Sequence, residues 1–159
     1  TDGTLAGLLS TSSTAPTMPA DYDQKCLIGA VRNDGSSNFV NFRQRGRRVN
    51  YVTWQSIASG APGTSSWTSI DITAYVPANL SDFCYGSFAP VNPSIAGVTN
   101  DGSVAADTTI AANKFSGGGS GWNGQIPWQF DVITANTLYW FSGGSSTTYL
   151  HGYEITRLG

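Results

Sequence analysis

The residue types that could carry out acid–base chemistry are scarce, and the only histidine is His151. Catalysis by a histidine base also needs a nucleophile and an orienting group in the same cleft. No G-x-S-x-G motif accompanies His151, which lies in the run T-T-Y-L-H-G-Y-E-I. Strand alternation places Tyr149, His151 and Tyr153 on one face. This stripe is interpreted as having a structural or interface role, with ligand contact as the alternative and general-base catalysis disfavoured.

Two pairs of carboxylates are close enough in sequence to be compared with a glycosidase pair, Asp21 with Asp23 and Asp101 with Asp107. A glycosidase needs two carboxyl groups about 5–9 Å apart. Both pairs lie among Pro, Gly or Asn, where aspartate commonly serves in turns. No dense calcium loop and no C-x-x-C motif is present. The sequence therefore predicts no enzyme activity, no metal site and no cofactor.

Basic residues concentrate in one part of the chain. The segment from Arg32 to Arg48 contains five of the 8 Lys and Arg residues. In F-R-Q-R-G-R-R the side chains of Arg43 and Arg45 are expected on the same side of a strand. They are interpreted as pairing with Asp within or between subunits, or as contacting an anionic glycan or phosphate. A formal net charge of -2 argues against nucleic acid as the partner.

A glycine-rich loop, G-G-G-S-G-W-N-G, presents Trp122 beside Asn123. It lacks the Lys-Ser/Thr end of a phosphate-binding loop. The indole could stack on a sugar while the amide bonds its hydroxyls, or it could fold back against the protein. We name Trp122 and Asn123 as carbohydrate-binding candidates. The other four tryptophans are predicted to serve the core or an interface: Trp54, Trp67, Trp128 and Trp140.

Composition limits the class of protein further. Of the 159 residues 40% are hydrophobic and only 11% are charged, against about 25% in a typical soluble domain. This excludes a disordered chain, a coiled coil and a membrane-inserted protein. The first residue is not Met and no signal peptide is evident, so we expect a fragment or a processed chain. Cys26 and Cys84 are interpreted as buried thiols, with a bridge between them left open.

Short alternating or apolar runs separated by turns predict an all-β protein. Residues 1–159 are expected to form a single antiparallel β-sandwich, jelly-roll-like, with residues 1–22 as a strand and an extended Ser/Thr/Pro connection. N-D-G-S-S at Asn33–Ser37 is a strong hairpin signal. About ten strands are predicted: Thr4–Leu9, Cys26–Val31, Phe39–Gln44, Val49–Trp54, Trp67–Ile72, Phe83–Phe88, Thr108–Ala112, Gln125–Ile133, Leu138–Phe141 and Thr148–Ile155.

Four stretches resemble a C-terminal domain family of phage tail fibres and related virion structural proteins. The most specific is L-I-G-A-V-R-N-D-G-S-S-N-F-V-N-F-R-Q-R-G-R-R-V at Leu27–Val49, similar to the hairpin and following Phe-x-Gln-x-Gly of that family. The others are L-L-S-T-S-S-T-A-P-T-M-P-A-D-Y-D at Leu8–Asp23, I-D-I-T-A-Y-V-P at Ile70–Pro77 and the closing Y-L-H-G-Y-E-I. Residues from Val91 to Asn123 have no counterpart in the family.

The resemblance implies a virion component without enzyme activity, assembled in the cytoplasm of a bacterial host. A homotrimer at a tail-fibre or spike tip is expected, in contact with other virion proteins and binding host-surface glycan. Nucleic acid and membrane insertion are not expected. The alternatives are a head-decoration or adaptor domain without a receptor, a capsule-degrading spike fragment, and a carbohydrate-binding module of a bacterial or phage enzyme.

Overall fold

A computed structural model describes residues 6–11, 15–22, 24–26, 28–77, 80–91, 95–103, 114–116, 124–132 and 136–155. Nine β-strands lie within these ranges. They are β1 (Phe42–Arg45), β2 (Arg48–Gly60), β3 (Gly63–Asp71), β4 (Ser81–Pro90), β5 (Ile95–Thr99), β6 (Lys114–Ser116), β7 (Ile126–Asp131), β8 (Thr137–Ser142) and β9 (Ser146–Ile155).

The strands form two sheets in which every pair is antiparallel. The first has the order β1-β2-β9-β4-β7 and the second the order β3-β8-β5-β6. Counted from β2 to β9, the eight strands follow the orders first-eighth-third-sixth and second-seventh-fourth-fifth. This alternation between sheets is that of a jelly roll. The predicted all-β sandwich is therefore confirmed.

The core lies between the sheets. One row of inward side chains crosses the five-stranded sheet from Val49 through Tyr153 and Cys84 to Phe130, all of them buried. On the opposite sheet, Ile70 and Leu138 face each other in register and are also buried. Burying a large apolar side chain contributes roughly 1.5–3 kcal/mol. Many such side chains at a spacing of two residues keep the register of the strands fixed.

Seven of the predicted strands coincide with β1, β2, β3, β4, β7, β8 and β9. The strand predicted at Cys26–Val31 is wrong for its described residues, and Ile28 there is 74% exposed. Residues 6–9 of the strand predicted at Thr4–Leu9 are not a strand either, and Leu9 is 79% exposed. The strand predicted at Thr108–Ala112 lies outside the described residues. β5 and β6 were not predicted.

The predicted turn at Asn33–Ser37 forms around the Asp34 carboxylate. The backbone N–H groups of Ser36 and Asn38 donate to Asp34 Oδ1 at 2.8 and 2.9 Å. These bonds hold the pKa of Asp34 below its usual value. Asn33 and Phe39 close the hairpin as an isolated antiparallel bridge.

The two cysteines differ in their surroundings and do not form a disulfide. Cys84 is buried, as predicted, whereas Cys26 is exposed, so the prediction of a buried thiol is wrong for Cys26. No helix in the described part of the chain is long and apolar enough to cross a membrane.

Candidate functional site

An irregular place in the five-stranded sheet lies at His151 on β9. Toward β2, the paired residues change from Asn50 opposite Gly152 to Gln55 opposite Leu150, so four residues of β2 face one residue of β9. Toward β4, the register also skips His151. Extra residues of this kind bend a strand and redirect its side chains. The consequence here is a local change in which face each side chain occupies.

Trp54, from the bulged part of β2, stacks on the ring of His151. Their ring centroids are 4.1 Å apart with an interplanar angle of 21°. Tyr149 borders the same indole at 6.3 Å. Trp54 remains 46% exposed. The stack therefore holds one indole in a fixed place on the outer face of the sheet, with solvent access to the rest of its surface.

His151 is fixed from its other side by Ser87 on β4. Ser87 Oγ and His151 Nε2 share a hydrogen bond of 2.9 Å. Burial lowers the pKa of His151, which favours the neutral ring. A Ser–His contact is also the start of a nucleophilic pair, but Ser87 is only 2% exposed. Its hydroxyl is closed to a substrate, and the contact positions the imidazole beneath Trp54.

Tyr85, which is only 7% exposed, lies beneath the neighbouring part of this surface. Its ring crosses Gly152 and brings Oη to 2.8 Å from Val49 O and 3.0 Å from Asn50 Oδ1. Both oxygens are within reach of the single hydroxyl hydrogen as acceptors. The guanidinium of Arg48 lies 4.3 Å above the ring. Burial raises the pKa of Tyr85. An aromatic ring is thus held flat against the sheet with a cation above it.

Two shallow depressions adjoin each other on this face. One is lined by Arg43, Asn50, Tyr51 and Val52. The other is lined by Arg48, Tyr85, Gly86, Pro127, Trp128, Gln129 and His151. Because Asn50 in the first is bonded to Tyr85 in the second, the depressions are neighbours. We call this combined area, with Trp54 and Tyr149, the outer-face surface.

Several predicted site residues come together here. Arg43 lies opposite Asn50 and Arg45 opposite Arg48, so both arginines project to the outer face, as predicted. Tyr149 and His151 are also half-buried on that face. Trp122 and Asn123 lie outside the described residues, and their assignment stays a prediction.

The prediction that Tyr153 shares one face of β9 with Tyr149 and His151 is wrong. The bulge at His151 interrupts the alternation, so Tyr153 does not share the face of Tyr149 and His151. It is fully buried in the core row, and its hydroxyl donates to Ala30 O at 2.7 Å. A side chain in this position is not available to an interface or an anion.

Trp54 was predicted to serve the core or an interface, and the bulge in β2 leaves its indole 46% exposed, so it does not lie in the core. A signal was present in Y-V-T-W, where the apolar positions shift phase between Tyr51 and Val52. A phase shift inside a strand marks a bulge. Trp128 and Trp140 are buried as predicted.

No protein-family model matches the chain, and no curated protein matches it closely enough to count as a relative. Among the described residues, no three His, Cys, Asp or Glu side chains come together as a metal site requires. The outer-face surface offers stacking rings, cations and amides.

Proposed function

We propose that this protein is a non-enzymatic virion domain, the trimeric tip of a tail fibre or spike, which binds host-surface carbohydrate on its outer-face surface. The observation that carries the proposal is the half-exposed indole of Trp54, stacked at 4.1 Å on His151. An aromatic ring fixed at a surface offers apolar area at little entropic cost.

The neighbours of Trp54 supply what a sugar needs besides a stacking surface. Sugar rings have apolar C–H faces and a rim of hydroxyls. His151 and Gln129 line the depression beside the indole, and both can bond hydroxyl groups. Asn50 adds an amide one strand away. A few polar groups around an apolar surface, here the Trp54 indole, are the usual composition of a small-ligand site.

The virion assignment rests on different support. The hairpin at Asn33–Phe39, with its N-D-G turn and following β1, is the stretch that resembles the virion family. A jelly roll is an architecture of capsid and lectin domains alike. A low content of charge suits a protein whose surface packs in a trimer. Three copies would also strengthen weak single-site binding through avidity.

The test of glycan binding compares Trp54→Ala with Val91→Ala. Val91 is the control because it is an apolar side chain of matched exposure, 47% against 46%, and its backbone pairs with Ser145 beyond the end of β4. The assay is competition of the purified protein with phage adsorption to host cells. We expect the protein and Val91→Ala to compete, and Trp54→Ala to lose at least about tenfold in potency.

Other outcomes support other classes of protein. Equal competition by both variants would overturn the assignment of Trp54. Absence of competition by any form, together with a position on the shell in a virion map, would favour a head-decoration or adaptor domain. A monomer of 16.8 kDa in light scattering, in place of a threefold mass, would remove the trimer and favour a carbohydrate-binding module.

A further inference from the structure

We infer that the outer-face surface is selective for an acidic saccharide, whose carboxylate is held by Arg43, Arg45 and Arg48 while Trp54 stacks on a neighbouring ring. This inference rests on the proposed carbohydrate binding and names the class of sugar. It depends on where three arginine residues lie in the sheet.

The three arginines form a row on adjacent strands. Arg45 is directly opposite Arg48 across the β1–β2 pair, and Arg43 is two residues further along β1 on the same face. All three are exposed. Like charges directly opposite each other destabilise a sheet. A bound anion at this row would reduce that repulsion.

Among the described residues, the carboxylate that is in register with the row is already engaged. Glu154 is opposite Arg48 on β9, but its Oε1 lies 3.7 Å from Nε of Arg47. Arg47 itself is turned toward the end of β9, where its Nε donates to Ile155 O at 2.6 Å. Within the described residues, Arg43 and Arg45 have no carboxylate or carbonyl partner. Each of these two guanidinium groups carries five N–H donors, and no carboxylate or carbonyl of the described residues occupies them.

The row is connected to the stacking site through the two depressions. Arg43 and Arg48 line the two neighbouring depressions, and His151, beneath Trp54, lines the second. A guanidinium binds a carboxylate through two parallel hydrogen bonds, which adds geometric selectivity to charge. A saccharide that carries a carboxylate can therefore contact the arginine row with its carboxylate and Trp54 with a sugar ring of the same molecule.

A nucleic acid is the less suitable polyanion. Recognition of its backbone requires a broad basic face, and the whole chain carries a formal net charge of -2. Asp131 and Glu154 lie opposite Phe83 on the two flanking strands of the same sheet, so negative charge bounds the site. A short acidic unit avoids these carboxylates, whereas a continuous phosphate chain does not.

The experiment is calorimetric titration of the full chain with oligogalacturonate, with the same oligomers after reduction of their carboxylates to alcohols, and with a DNA oligonucleotide of equal charge. The variants are the double variant with Arg43→Gln and Arg45→Gln, and the single variants Trp54→Ala and Lys25→Gln. Lys25 is an exposed cation outside the row and serves as the control for loss of charge. We expect the acidic oligomer to bind at least about tenfold more tightly than the reduced one.

The double arginine variant should bind both oligomers equally, Trp54→Ala should weaken both, and Lys25→Gln should change neither. Equal affinity of the acidic and reduced oligomers for the unaltered chain would overturn the inference and leave carbohydrate binding intact. No binding of either would overturn both proposals. If DNA binds as tightly as oligogalacturonate, the inference is overturned, and a nucleic acid becomes the ligand that the arginine row favours.

Discussion

The ring of Tyr85 lies directly over Gly152, and a Cβ atom at Gly152 would come within 2.5 Å of the tyrosine hydroxyl and 2.0 Å of Val49 O. The absence of a side chain on β9 thus allows a residue of β4 to cross it and bond to β2. The outer-face surface depends on this crossing, because Tyr85 also supports Arg48 and Asn50.

Replacing Gly152 with Ala should destabilise the domain by about 2–3 kcal/mol, since the added methyl group overlaps both the backbone of β2 and Tyr85. The measurement is urea unfolding at equilibrium. Gly35→Ala is the control, because no atom lies within 4 Å of a Cβ built there. Equal unfolding midpoints for the two variants would contradict the packing described for Tyr85.

Acidification should weaken the fold through His151. Burial lowers the pKa of His151 from 6.5, so the unfolded chain binds a proton at a higher pH than the folded chain does. The free energy of unfolding should therefore be greatest above about pH 6.5 and fall as the pH passes through the folded pKa. Urea titrations between pH 8 and pH 5, about the range of histidine titration, check this.

The matched variant for this measurement is His151→Gln, which keeps a polar partner for Ser87 without the titration. Its unfolding free energy should vary less over the same pH range. The carboxylates with lowered pKa values, Asp34, Asp71 and Asp101, act only at lower pH. A slope that persists in the glutamine variant would show that His151 is not its origin.

Tyr153→Phe should lower the free energy of unfolding by about 1–2 kcal/mol, because Ala30 O loses the hydroxyl that donates to it at 2.7 Å. The variant keeps the packing of the ring, so the loss reports on the hydrogen bond. Hydrogen exchange should also increase in residues 28–31. Tyr149→Phe, on the outer face, is expected to leave both quantities unchanged within error.

The two thiols should differ sharply in reactivity. Burial raises the pKa of Cys84 to about 12, so almost no thiolate exists there at pH 8. A thiol reagent should modify one cysteine of the folded chain and two after denaturation. In Cys26→Ser the folded chain should react at no site, and a fast reaction of that variant would show that Cys84 is accessible.

The class of fold could be predicted because burial repeats at every second residue in most strands. Residues 28–31 show where this pattern fails, because they were predicted as part of a strand and do not form one. The segment has the composition of a strand, yet two of its carbonyls are bonded by side chains. Gln44 Nε2 donates to Ile28 O and Tyr153 Oη donates to Ala30 O. Partners that distant in sequence are not visible in local composition.

The exposed position of Trp54 on the outer face could not be predicted from the sequence, for a related reason. Alternation assigns a face only while the register is continuous, and the register changes between Asn50 and Gln55. The arginine pair could be predicted because β1 is regular from Phe42 to Arg45. β5 escaped prediction because Gly97 interrupts a short apolar run, although the ring of Phe141 needs that gap.

The place of β9 in the middle of the five-stranded sheet governs when the domain can mature during translation. β2 and β4 leave the ribosome first, and they are joined only through β9, the last of the described strands. Until Ser146–Ile155 arrives, each keeps an edge open to any other nascent chain. Closure from the centre therefore delays completion of this sheet until β9 is available to pair with both strands.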